Sequence, residues 1–250
     1  MYPVLFEIGP FQVRAYGTFI ALAFLTAFTL LYRQARKQRF YPEKIMNLTM
    51  IILVSGIIGS RILHVLVNLS YYARNPVEIF FVWKGGLAIY GGIFFATIVS
   101  YIYLKKNKIP FLRMADFIIP YLALGQSIGR IGCFFNGCCF GKPTDAHIWG
   151  VIFPGDIVYR YPTQLYASFA LFLIFIILKR AQKRSFFTGY VLGLYSILYS
   201  VQRFLIDFLR GDTSRYLMGL TVSQIISIFL LTGTALIMLF FSKKILHPRS

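Results

Sequence analysis

Between Gly129 and Thr144 the chain reads GRIGCFFNGCCFGKPT, with one arginine, one asparagine and three cysteines among glycines and phenylalanines. The acidic residues nearest to Arg130 in sequence are Asp116 and Asp145. A guanidinium stays charged and presents planar, paired donors, so an unpaired one in apolar surroundings seeks an anion. Beside a bilayer the abundant anion is a phospholipid phosphate; the plainer alternative is interfacial anchoring. A second constellation, 202-QRFLIDFLRGD-212, spaces Arg203, Asp207 and Arg210 at i, i+4 and i+7, along one face of a helix. Either Arg203 and Asp207 neutralise each other and snorkel to the interface, or Asp207 orients arginines toward a phosphate. Arg61 ends a glycine-rich run, 55-SGIIGSR-61, inside an apolar segment. A charge at mid-bilayer costs about 2.5–3.5 kcal/mol on insertion scales, so each of these needs a reason.

Other polar groups extend this set. Glycine pairs bracket Tyr90 in 85-GGLAIYGG-92, where Gly91 and Gly92 let a backbone bend or approach a ligand. Tyr16 opens one apolar segment in 14-RAYG-17, and 161-YPTQLYA-167 opens another with Gln164 and Tyr166. Tyr2, Tyr71 and Tyr72 read as interface anchors. Gln126 and Gln164 fit helix–helix hydrogen bonds at least as well as substrate contacts. The thiols of Cys133, Cys138 and Cys139 fall within seven residues. Their spacing matches no standard zinc pattern, even with His147 as a fourth ligand, so no metal is expected. A disulfide, a thiol nucleophile activated by Arg130, or small side chains packed in a tight loop are the remaining readings.

The elements that position these residues are long and apolar. Hydrophobic residues make up 58% of the 250 and charged ones 14%, with mean hydropathy +0.68, which excludes a soluble domain. Runs of about 18 or more apolar residues predict membrane helices. Seven are expected, at 15–32, 45–67, 86–104, 115–128, 161–178, 189–209 and 217–241, the fourth weakened by Pro120. The expected fold is an all-α integral membrane protein of seven transmembrane helices in one polytopic domain. No removable signal peptide, low-complexity tract or internal repeat is read.

The net charge of +18 is concentrated in the segments after the first, third, fifth and seventh runs. These hold Arg33, Arg36, Lys37, Arg39 and Lys44, then Lys105, Lys106, Lys108 and Arg113, then Lys179, Arg180, Lys183 and Arg184, then Lys243, Lys244 and Arg249. The other side carries fewer, including Arg14, Arg74, Lys84 and Arg215. The positive-inside rule then puts the N-terminus outside and the C-terminus in the cytoplasm. Such loops suit anionic lipid headgroups; with no aromatic-interleaved basic stripe, nucleic acid is not the expected partner.

Together these segments resemble the prolipoprotein diacylglyceryl transferase family. That family's central signature, G-R-x-G-N-F-x-N-x-E-x-x-G, is matched at Gly129, Arg130, Gly132, Phe134, Asn136 and Gly141. Its H-G-G segment resembles Tyr90-Gly91-Gly92, its H-P-[ST]-Q-L-Y segment resembles 161-YPTQLY-166, and its E-R-x-x-x-E-x-x-R-x-x-D segment resembles 202-QRFLIDFLRGD-212. Tyr16-Gly17 and 59-GSRILHVL-66 match two further family segments, so the likeness runs along nearly the whole chain in order.

The resemblance implies transfer of diacylglyceryl from phosphatidylglycerol to the lipobox cysteine of a preprolipoprotein, in the bacterial inner membrane and without a cofactor. It implies Arg130 and Arg203 as phosphate clamps with Asn136 as a neutral donor and Tyr90 at the position of the family histidine. Tyr16, Arg61, Gly91, Gly92, Gly141, Gln164, Tyr166, Asp207 and Arg210 are implied to bind or support substrate. The departures are Tyr90 for histidine, Cys133 for asparagine, Cys138 for glutamate, Gln202 and Asp207 for glutamates, and a last motif one residue short. A divergent transferase or a relative repurposed for another lipid or thiol fits these changes. A non-catalytic lipid transporter, the reading from another class, would call for repeated halves.

Overall fold

A computed structural model describes residues 4–8, 11–82, 85–145, 149–153, 155–216 and 219–246. Tyr2, Lys84, His147 and Arg249, and the first two residues of the expected seventh span, lie outside the described residues. A hairpin of β1 (Val4–Ile8) and β2 (Phe11–Arg14) leads into α1 (Ala15–Gln38), α2 (Pro42–Val67) and the short α3 (Leu69–Arg74). After a 3-10 turn at Pro76–Phe80 come α4 (Ile89–Lys106) and α5 (Phe111–Phe135). A small antiparallel pair, β3 (Val151–Ile152) and β4 (Tyr159–Arg160), precedes α6 (Thr163–Ala181), α7 (Tyr190–Leu209) and α8 (Val222–Leu246).

All seven expected apolar segments are helical, and α1, α2, α5, α6, α7 and α8 are long and apolar enough to cross a membrane. The α4 helix, at 18 residues, is shorter and dilutes its apolar run with Gly91, Gly92, Lys105 and Lys106. The segment expected to be weakest is a 25-residue helix: α5 runs unbroken through a buried Pro120. Outward faces carry large apolar side chains such as Leu25, Val54, Phe229 and Leu236, a surface suited to lipid.

The chain divides into two compact units, residues 32–111 and residues 1–31 with 112–250. In the first, α2 packs on α4 through glycines. A Cβ on Gly91 would fall on the carbonyl oxygen of Gly59 and within 2.5 Å of Leu63 Cβ; one on Gly59 would lie 2.6 Å from the Gly91 oxygen. In lipid there is no hydrophobic drive between helices, so close backbone approach at small residues carries the packing. This contact accounts for Gly91 and Gly92, both buried, without a ligand.

The second unit is built around Ile119 and Ala123 of α5, Leu171, Ile174 and Leu178 of α6, and Val191 of α7. Ser127 and Ser168 donate to each other's carbonyl oxygens at 2.8 Å, joining α5 to α6. The Asp116 carboxylate accepts the Gly189 and Leu192 amides at 2.6 and 2.9 Å, satisfying donors at the start of α7 that no helix turn can. The α8 helix starts later than the sequence reading has it because Thr221 and Gln224 form a capping box: the Thr221 amide donates to Gln224 Oε1, and the Gln224 amide to Thr221 Oγ1.

Replacing Gly91 by alanine is expected to cost about 1–3 kcal/mol through overpacking. Gly56→Ala, on α2 where an added Cβ meets nothing within 4 Å, is expected to be neutral or mildly stabilising. Thermal unfolding of the two variants in detergent separates the cases.

Candidate functional site

The signature residues divide between a helix end and the turn that follows it. Arg130 and Cys133 lie in the last turns of α5, where Gly132 brings the helix against α1: a Cβ there would stand 2.7 Å from Phe19 Cβ. Phe19 and Phe135 stack at 5.1 Å across this contact. Pro120, Gly125 and Gly129 weaken the expected span, yet the helix continues to Phe135, with Gly125, Gly129 and Gly132 facing Ala27, Ile20 and Phe19 of α1.

The chain then turns through Gly137 and Cys139, both with left-handed backbone (φ 69° and 64°). The first turn of α6 holds this turn in place: Thr163 Oγ1 donates to the Cys139 carbonyl and Gln164 Nε2 to the Cys138 carbonyl, each at 2.7 Å. Gln164 is therefore a positioning residue, fully buried, and Thr163 is a second one that sequence reading did not single out. The Gly141 amide donates to Tyr161 O and the Lys142 amide to Leu209 O, both at 2.8 Å, so one strand of chain is stitched to the start of α6 and the end of α7. A Cβ on Gly141 would lie 2.7 Å from the Tyr161 oxygen and 2.9 Å from that of Leu209. Its glycine is demanded by backbone proximity.

At the end of α7 the expected face forms. Asp207 is buried, 3.3 Å from Arg203 Nη2 and 4.0 Å from Arg210 Nη1, and accepts a 2.6 Å hydrogen bond from Thr221 Oγ1. Arg203 also donates to Ser223 Oγ at 2.9 Å, and Arg210 makes a two-pronged bond to Asp212 at 2.8 and 2.6 Å. Thr221 and Ser223, absent from the sequence reading, are thus working parts of the arginine cluster. The T-x-x-Q capping pattern at 221–224 was the available signal.

Arg130 completes the set. Its charge and that of Arg210 both act on Arg203, so the three guanidiniums share one electrostatic neighbourhood. Arg203 and Arg210 have carboxylate partners, whereas half-buried Arg130 has no hydrogen-bond or ion-pair partner among the described residues. Arg130 also acts on Tyr16 in the first turn of α1, which brings that predicted residue to the same region. Asn136 is exposed and lines a cavity of about 400 Å³ with Phe135, Gly137, Phe140, Phe153 and Asp156. At the rim Asp156 is ion-paired to Arg160, which holds its carboxyl below the usual range, and Arg160 lies over the Phe140 ring at 5.0 Å. Tyr166 donates to the Trp149 carbonyl at 2.7 Å and so tethers this loop.

Four predicted residues, Arg61, Tyr90, Gly91 and Gly92, belong to the other unit. Arg61 is buried and held by backbone carbonyls: Nε to Ile79 at 2.9 Å, Nη1 to Gly85 and Gly86 at 2.7 and 3.0 Å, and Nη2 to Glu78 at 2.5 Å. Four of its five N–H donors organise the chain between α3 and α4. Tyr90, in the first turn of α4, is largely exposed.

The family model described as prolipoprotein diacylglyceryl transferase matches residues 3–240. The phosphatidylglycerol–prolipoprotein diacylglyceryl transferase of Clostridium tetani is 38% identical over 235 residues, covering 92% of this chain and 93% of that protein. The enzyme of the same name from Finegoldia magna is 36% identical over 244 residues, covering 97% of both. That from Nostoc sp. is 37% identical over 248 residues, covering 94% of this chain and 86% of the relative. The chain belongs to the prolipoprotein diacylglyceryl transferase family.

Proposed function

We propose that this protein transfers the diacylglyceryl group of phosphatidylglycerol to the lipobox cysteine of a preprolipoprotein, and that Arg130 is the principal phosphate ligand. The observation that carries this is the charge balance at the ends of α5 and α7. Asp207 offsets Arg203 and Asp212 offsets Arg210, which leaves the Arg130 charge to be met from outside the described residues. A half-buried cation in this position favours a dianionic or monoanionic phosphate oxygen over water.

In the reaction, the thiol sulfur forms a bond to the glyceryl carbon while that carbon's bond to the phosphate oxygen breaks. The thiol proton leaves and glycerol phosphate departs with the bonding electron pair. Negative charge grows on the leaving oxygen, so preorganised donors aimed at it stabilise the transition state more than the bound lipid. Arg130 supplies the free charge, Arg203 a second guanidinium oriented by Asp207 and Ser223, and Asn136 a neutral donor. Tyr90, at the position of the family histidine, is the candidate for handling the thiol proton; a phenol with pKa near 10 acts better as a hydrogen-bond donor than as a base at neutral pH. Departing phosphate oxygens are the other proton acceptor, their second ionisation lying near 6.

The same reading assigns a multi-pass location in the bacterial cytoplasmic membrane, as one domain with seven spans, the N-terminus outside and the C-terminus inside. Supporting it are the alternation of basic loops and six helices of spanning length. The substrates would then meet the arginines from the outer leaflet.

Three outcomes follow. In a strain depleted of its own diacylglyceryl transferase, the wild-type chain should restore growth and lipid attachment to a reporter lipoprotein. Arg130→Ala should lower the transfer rate by a factor of about a hundred or more with the folded protein retained. Full activity in both Arg130→Ala and Arg203→Ala excludes the phosphate clamp. Asp207→Ala behaves differently, because it leaves Arg203 without its buried partner: about 3–5 kcal/mol of stability should be lost, seen as a lower unfolding temperature before any assay of transfer.

A further inference from the structure

The three cysteines take no part in the reaction just described. Cys133 closes α5, and Cys138 and Cys139 sit in the turn after it, yet the three sulfurs all lie within 4.8 Å of one another. All three are half-buried free thiols. Sulfurs sharing one ion at a bond length of about 2.3 Å stand about 4 Å apart, so closing on an ion calls for displacements of under about 1 Å. The turn is already held for this: Gln164 and Thr163 fix the Cys138 and Cys139 carbonyls, the Cys138 amide donates to the Cys133 carbonyl at 3.2 Å, and Cys139 adopts a left-handed backbone that side chains seldom choose. Spacing in sequence conceals this grouping, because it depends on a helix end folding back over its own following turn.

The geometry points to a three-thiolate site for one soft, thiophilic cation, Cu(I) foremost, whose occupancy inhibits the enzyme. Thiolate donors select Cu(I) and zinc over harder ions, and three sulfurs with no fourth His, Cys, Asp or Glu ligand grouped with them among the described residues favour the three-coordinate ion. Loading displaces the thiol protons to solvent. Three thiolates with one Cu(I) carry a net charge of minus two. Arg130 lies one turn before Cys133 on the same helix, so the filled site sets that charge beside the cation assigned to the lipid phosphate. The inhibitory half of this inference rests on the proposed function; the binding half does not.

The test uses the full chain, purified in detergent, reduced and kept without oxygen, and titrated with Cu(I) against a colorimetric Cu(I) chelator. Wild type should take up one ion per chain, and the triple variant C133S/C138S/C139S none, with thermal unfolding confirming that it is folded. Should the triple variant fail to fold, Cys139→Ser alone serves, with affinity lowered about tenfold or more. No uptake by wild type, or equal uptake by the serine variants, overturns the site. Lipid transfer is then followed with and without one equivalent of Cu(I): loss of activity in wild type but not in the triple variant supports the coupling, and unchanged wild-type activity refutes it. Absence of transfer by metal-free wild type overturns the transferase reading, and with it the inhibition, while the binding result stands by itself.

Discussion

One charge organises this protein: the Arg130 guanidinium, held half-buried at the end of α5 with no partner among the described residues. Carboxylates neutralise the two other arginines of its neighbourhood. Leaving a buried cation unpaired is costly, and the surroundings show how it is kept in place. Gly132 removes the side chain that would push α5 off α1; Asp207 stops Arg203 and Arg210 from repelling each other out of position. In the proposed reaction, an anion brought to this point would be met by a charge already in place.

Glycine does two different jobs in this fold. Between α2 and α4 it allows backbones to touch, which in lipid substitutes for the missing hydrophobic drive. At Gly141 it lets a loop run within hydrogen-bond distance of both the start of α6 and the end of α7, which ties the signature turn to Gln164 and the arginine face. Arg61 also serves the fold: its guanidinium donates to the carbonyls of Glu78, Ile79, Gly85 and Gly86 and so folds the chain ahead of α4.

Much of this was legible from residues alone, and the failures have physical causes. The i, i+4, i+7 spacing of Arg203, Asp207 and Arg210 foretold their shared face because helical period is a local property. The long apolar runs foretold the helices for the same reason. Helix ends were harder: Pro120, Gly125 and Gly129 made this the weakest expected span, but packing against α1 outweighs their poor propensity. Thr163, Thr221 and Ser223 escaped notice because their partners lie on other elements, at sequence separations of 14 to 24. The three thiols stood within seven residues but matched no standard metal spacing, and only the fold shows their sulfurs within 4.8 Å of one another.

The central claim concerns binding before it concerns rate, so the direct measurement is affinity for the lipid itself. Short-chain phosphatidylglycerol should bind the detergent-purified wild-type protein at least about tenfold more tightly than Arg130→Gln, a difference of about 1.4 kcal/mol, with the gap narrowing as salt rises. Equal affinity in the two proteins, at low salt and with both folded, would contradict the account.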